Sequence, residues 1–165
     1  MPEALDINNF RARLESRLAA LRHDPAPVRD SRRRLQAQLD SDTPVYGVNT
    51  GFGALATQRI QPSELEQLQT NLLLSHACGV GPPVSPEITR LMLDLKLYAL
   101  GLGYSGISVE TFNALLALRD SGITPWVPSR GSLGASGDLA PLAHLCLPLL
   151  GRGRVWSRTG DSIKP

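Results

Sequence analysis

Ile7, Phe10, Leu14, Leu18 and Leu21 recur every three or four residues, the interval that lays side chains along one face of an α-helix. The same period returns along the chain, each time with helix punctuation. Asp6 is placed to cap the first helix, over 7–21. Val28, Leu35 and Leu39 share a face over 27–39. Ser63 and Glu66 read as an S-x-x-E capping box opening a helix that runs to about Ala77, before Gly79. Ser85-Pro86 opens another that ends near Gly101, Ser108 opens one ending at Ser121-Gly122, and Asp138 is placed to cap a last one, with Pro141 tolerated in its first turn. No alternating stretch longer than a few residues competes with these helices, and no internal repeat or low-complexity tract occurs. The fold class this predicts is mainly α.

The length of 165 residues suits one domain with a real core, and 42% apolar against 19% charged residues is globular rather than disordered composition. A net charge of +2 supplies no global field for nucleic acid. The arginines of "VRDSRRR" (28 to 34) have no interleaved aromatic residues and read as a solvated helix face. Cys78 and Cys146 each lie in an apolar segment and read as reduced, buried thiols. "MPEALDINNF" has no apolar core and does not read as a signal peptide, and the apolar run 139–150 is too short to span a bilayer. The expectation is a cytoplasmic chain without membrane or nucleic-acid partners.

Two glycine-dense loops interrupt the helical pattern: "YGVNTGFG" (46 to 53) and "PWVPSRGSLGASGD" (125 to 138). Glycine allows positive φ and close backbone approach, which suits sites as well as turns. Neither loop is a phosphate cradle, since no G-x-x-x-x-G-K-[ST] occurs and no G-x-G-x-x-G follows a strand. Ser136 is not a nucleophile elbow, because Asp138 stands where G-x-S-x-G needs glycine. His23, His76 and His144 lack H-E-x-x-H spacing and His76/Cys78 is not a zinc arrangement, so no metal site is expected. By spacing alone, His76 and His144 read as packing residues.

Ala135-Ser136-Gly137 offers a different chemistry, self-modification. A tight turn that brings the Gly137 nitrogen onto the Ala135 carbonyl carbon closes a five-membered ring, and dehydration converts the Ser136 side chain to an exocyclic methylidene. Glycine keeps the nitrogen accessible, serine supplies the leaving hydroxyl, and alanine is small enough for the turn. A helix starting at Asp138 would aim its positive end at the ring.

These residues carry a resemblance. "GSLGASGDLAPLAH" resembles the prosthetic-group motif of the aromatic amino-acid ammonia-lyases, and "YGVNTGFG" resembles that family's tyrosine loop, in the family's order. The resemblance spans about residues 5 to 155; Cys146, where the family more often has a smaller residue, is a small departure. It implies the helical fold of the ammonia-lyase (fumarase/aspartase-like) superfamily with two glycine-rich active-site loops. It implies 4-methylideneimidazol-5-one (MIO) formed autocatalytically from Ala135, Ser136 and Gly137, Asp138 and Leu139 supporting the group, Tyr46 as the catalytic base that removes the substrate β-proton, and Asn49 and Gly53 at the substrate. Ser75-His76, in "NLLLSHACGVG" (71 to 81), looks like the pair of the histidine-specific members, in which the histidine contacts the substrate imidazole. Tyrosine-specific members resemble His-Leu at the two positions, and plant-type phenylalanine-specific members Phe-Leu. An imidazole can exchange a hydrogen bond with another imidazole, and leucine cannot.

The implied activity is elimination of ammonia from L-histidine to trans-urocanate. A phenylalanine or tyrosine lyase, an aminomutase and a non-catalytic helical domain remain alternatives. Residues 1–165 are expected to be the N-terminal, prosthetic-group-bearing part of a longer homotetrameric enzyme. The remainder would supply the central bundle, an asparagine, a carboxylate-binding arginine, a second tyrosine and a carboxylate. Alone, the chain is expected to be inactive with its tripeptide uncyclised, because ring closure needs a turn compressed by surrounding packing.

Overall fold

The computed structural model describes residues 8–41, 43–131, 139–157 and 162–163. The helices are α1 (Phe10–His23), α2 (Ala26–Asp40), α3 (Leu65–His76), α4 (Pro86–Leu100), α5 (Val109–Asp120) and α6 (Leu139–Cys146). Short strands lie between and after them: β1 (Val80–Pro83), β2 (Thr124–Pro125), β3 (Pro128–Arg130), β4 (Val155–Trp156) and β5 (Ser162–Ile163). The chain is mainly α, as its periodicity predicts. Among the described residues no helix is long and apolar enough to cross a membrane.

The core is where the periodic faces meet. Leu14, Leu18 and Leu21 of α1 are fully buried against Leu93 and Leu97 of α4, Phe112 and Leu115 of α5, and Val28 of α2 in one cluster. Burying a leucine or phenylalanine stabilises by about 1.5–3 kcal/mol, so this cluster is the main source of the fold's stability. Leu145 carries α6 into the same core, and α3 lies along α6. Ion pairs clamp the helices from outside: Arg119 of α5 meets Asp94 of α4 at 2.5 Å and Glu15 of α1 at 2.6 Å.

Two caps act as read. Ser85 Oγ accepts the Ile88 N–H and Ser108 Oγ accepts the Thr111 N–H, each satisfying an orphan donor of a first helical turn. The Ser63 capping box does not form. Gln61 O accepts the Glu64 N–H at 2.9 Å, closing a 3₁₀ turn over Pro62–Glu64, and α3 starts after it at Leu65 without a side-chain cap. Asp6 and Asp138 lie outside the described residues.

The arginines of α2 are not simply solvated. Arg34 donates to Gly103 O at 2.9 Å and Arg32 to Gly106 O at 3.4 Å, while Ser31 Oγ accepts the Gly106 N–H. Carbonyls left over in the α4–α5 connection take their donors from this helix. Cys78 is also a correction: it is exposed, because it sits in the turn between α3 and β1 rather than on a packed face. Cys146 is half-buried, and burial raises its thiol above the ordinary range.

Candidate active site

The tyrosine loop is held by its own side chains. Asn49 Oδ1 accepts the Val45 N–H at 2.7 Å, and Asn49 Nδ2 donates to Thr43 O at 3.0 Å. Thr50, fully buried, accepts the Gly47 N–H and donates to Gly51 O. The Gly51 N–H reaches back to Gln58 O, and the Ile60 N–H to Asn49 O. Asn49, expected at the substrate, thus has both ends of its carboxamide engaged in the loop and is only 9% exposed.

This bracing leaves Tyr46 on the outside, 63% exposed. The Tyr46 ring stands edge-on to Phe52, with centroids 5.8 Å apart. The phenol oxygen accepts the Gly53 N–H at 3.3 Å, a bond that a developing phenolate would keep and strengthen. Gly53, expected at the substrate, contributes that N–H. The loop orients the phenol without burying it.

Gln69 of α3 ties the loop to the helix by donating to Gly47 O at 3.4 Å. Gln69 and His76 are seven residues apart, so they share a face of α3 about 10 Å apart along its axis. Tyr46, next to Gly47, and His76 are therefore placed by the same face of one helix.

At the end of α3 both members of the Ser75-His76 pair turn back to one carbonyl. The Ser75 hydroxyl donates to Leu72 O at 3.1 Å and His76 Nδ1 lies 2.8 Å from the same oxygen, with Ser75 Oγ 3.2 Å from Nδ1. A carbonyl only accepts, so Nδ1 carries a proton and the neutral ring keeps its lone pair on Nε2. Among the described residues Nε2 has no hydrogen-bond partner. The half-buried ring is thus oriented, with one acceptor unspent.

Ala135, Ser136, Gly137 and Asp138 lie outside the described residues; Leu139, the first residue of α6, is partly exposed. The flanks of the segment are placed. β1 pairs antiparallel with β3, Val80 opposite Arg130 and Pro83 opposite Pro128, and this carries the chain to Gly131. A Cβ at Gly131 would lie 2.9 Å from Ala140 Cβ, closer than real Cβ atoms approach, and a tight 3.2 Å from Pro141 Cδ. Glycine there lets Gly131 pack directly on Ala140 and Pro141. The described residues on either side of 132–138 thus meet at the N-terminal end of α6.

His144, read from the sequence as a packing residue, proves to be a hydrogen-bond acceptor: its Nε2 takes the Gly79 N–H at 3.0 Å. Burial holds its ring below the ordinary imidazole value. Its spacing from Gly79, 65 residues along the chain, gives no local signal of the contact.

The fold and this constellation of loops define a class. The chain belongs to the aromatic amino acid lyase family, whose pattern matches residues 5–164. Within that family it is 55% identical over 138 residues to the histidine ammonia-lyase of Geobacillus thermodenitrificans, covering 84% of this chain and 27% of that protein. Against the histidine ammonia-lyase of Rhodospirillum rubrum the identity is 48% over 157 residues, 93% of this chain and 30% of that one. The structure of histidine ammonia-lyase from Trypanosoma cruzi superposes with a TM-score of 0.74 at 36% identity, covering 85% of this chain and 26% of that one. The tyrosine aminomutase of Streptomyces globisporus gives a TM-score of 0.76 at 34% identity, with coverages of 85% and 26%. The chain spans under a third of the length of the curated relatives it matches.

Proposed function

We propose that residues 1–165 are the N-terminal part of a histidine ammonia-lyase, a cytoplasmic homotetramer that eliminates ammonia from L-histidine to give trans-urocanate. The observation that carries this reading is His76. Its Nδ1–H is committed to Leu72 O, which leaves Nε2 as an oriented acceptor for an N–H of the substrate imidazole. That acceptor shares a face of α3 with the loop that presents the Tyr46 phenol.

The flanks at Gly131 and Ala140 fit a prosthetic group made from Ala135-Ser136-Gly137, because their close contact brings together the residues on either side of 132–138. Once formed, 4-methylideneimidazol-5-one supplies an electrophile that activates the substrate amine as a leaving group. The N-terminal end of α6, which carries partial positive charge, directly follows that segment in the chain. Asp138 and Leu139 would buttress the group from that helix end. Tyr46 acts as the general base at the substrate β-carbon, with the Gly53 N–H holding its oxygen. Asn49 keeps the loop in the shape that presents the phenol, and Ser75 stiffens the His76 ring.

Intact mass and turnover of the full-length enzyme test this reading together. The wild type shows a loss of two waters and ultraviolet absorbance from the conjugated ring. Ser136→Ala abolishes both, since the methylidene carbon comes only from that side chain. Tyr46→Phe retains the mass loss while turnover falls about 10²- to 10⁴-fold, the usual contribution of a positioned base. An unmodified wild-type mass would leave a helical domain without the chemistry.

A further inference from the structure

The Gly79 N–H can only donate, so the His144 nitrogen that receives it, Nε2, holds a lone pair and the ring proton sits on Nδ1. Gly79 is shaped for the contact. A Cβ there would lie 3.1 Å from His144 Nε2, 3.2 Å from Cδ2 and 3.2 Å from Pro128 Cβ, so the residue is gripped between α6 and the start of β3. Gly79 stands three residues after His76 and one before β1.

Followed in space, these contacts close a ring. From Gly79 the chain enters β1, β1 pairs with β3, and β3 leads to Gly131. Gly131 rests on Ala140 and Pro141, and α6 returns through His144 to Gly79. Ser75-His76, at the end of α3, lies a few residues before Gly79 in the chain. Without the His144 acceptor the ring stays joined only by strand pairing and packing.

We propose that His144 is a positioning residue, which by accepting the Gly79 N–H fixes the Ser75-His76 end of α3 relative to α6, the helix that follows Ala135-Ser136-Gly137 in the chain. It sets the spacing between the imidazole that reads the substrate and the described part of α6. This rests on the lyase reading above. His144 touches neither substrate nor prosthetic group in this role; it acts through Gly79.

Two variants of the full-length enzyme separate positioning from bulk. His144→Leu keeps apolar volume and removes the acceptor, whereas His144→Gln keeps an oxygen within reach of Gly79. Each is read by intact mass, by KM and kcat for L-histidine, and by hydrogen exchange of a peptide spanning Gly79. His144→Leu retains the two-water loss, accelerates exchange at Gly79 and raises KM about 3- to 10-fold, the equivalent of one hydrogen bond. His144→Gln returns both readouts toward wild type. Unchanged KM in His144→Leu overturns the proposal, as does a raised KM that His144→Gln does not restore while Gly79 exchange is normal. Should His144→Leu fail to fold, Gly79→Ala displaces the ring without altering it; it raises KM likewise, and a wild-type KM there overturns the proposal. A wild type without the two-water loss overturns the lyase reading and this proposal with it, whereas a mature enzyme indifferent to His144 overturns this proposal alone.

Discussion

On the proposed reading, substrate choice at the residue scale turns on one nitrogen. His76 Nε2 is the acceptor left over once Leu72 O has fixed the tautomer, and a leucine at the same place offers none. In the full-length enzyme, His76→Leu therefore lowers kcat/KM for histidine by about 5- to 150-fold, the roughly 1–3 kcal/mol of a buried polar group left unpaired. It loses much less for phenylalanine and tyrosine, so the preference relaxes. Comparing kcat/KM for the three amino acids decides the matter, and an equal loss for all three would make His76 a packing residue. Spacing alone could not separate those roles, because a histidine ending a helix looks the same in either; the resemblance of Ser75-His76 to the histidine-specific pair is what singled it out. Asn49 shows the opposite limit. Nothing in "YGVNTGFG" tells that its carboxamide spans from Thr43 O to the Val45 N–H, since those partners lie before the motif.

Elements were legible where their signals are local. Ser85 and Ser108 cap the helices they precede, because a serine followed by a helix start needs no distant partner. Ser63 failed as a cap since Pro62 and the Gln61 carbonyl form a competing turn. The strands were not legible: ladders of two to four residues, rich in proline, carry no alternation to read. His144 of α6 accepts the Gly79 N–H just before β1, and the pH dependence of this contact has a definite sign. Burial favours the neutral ring, so the folded chain holds the proton less tightly than the unfolded one, whose imidazole titrates near 6.5. The contribution is fully present above that value and is lost as pH falls through the lowered folded value. Urea midpoints of wild type and His144→Leu, measured from about pH 7.5 down to about pH 5, should therefore converge toward the acid end, because the wild type loses by protonation the acceptor that leucine never has. A constant difference across that range would mean that the contact does not respond to protonation.

Across the whole molecule, a core of α1, α2, α4 and α5 supports the α3–α6 layer that bears the site, joined to it through Leu145. Much of the apolar surface around the site stays open: Tyr46, Leu55, Leu74, Val80 and Leu139 are all exposed. On the proposed reading the remainder of the enzyme covers that side, so this chain must draw its stability from the opposite one. There Arg119 joins three helices. Burial works against its charge, and the hydrogen bonds to Asp94 and Glu15 outweigh that, holding the guanidinium above its ordinary value. The Arg119 and Asp94 side chains are only 19% and 18% exposed, while Glu15 is largely in water. Most of the coupling therefore lies in the Arg119–Asp94 pair, because the exposed partner is screened. Arg119→Met leaves Asp94 half-buried without its cation and destabilises the chain by roughly 1–3 kcal/mol, below the cost of breaking a fully buried pair. Adding Asp94→Asn removes the stranded charge and recovers part of the loss, whereas Glu15→Gln alone changes stability by less than about 1 kcal/mol. Urea unfolding of the single and double variants measures all three. If Arg119→Met and Asp94→Asn simply add, the two side chains are not coupled, and the helices are held by the apolar core alone.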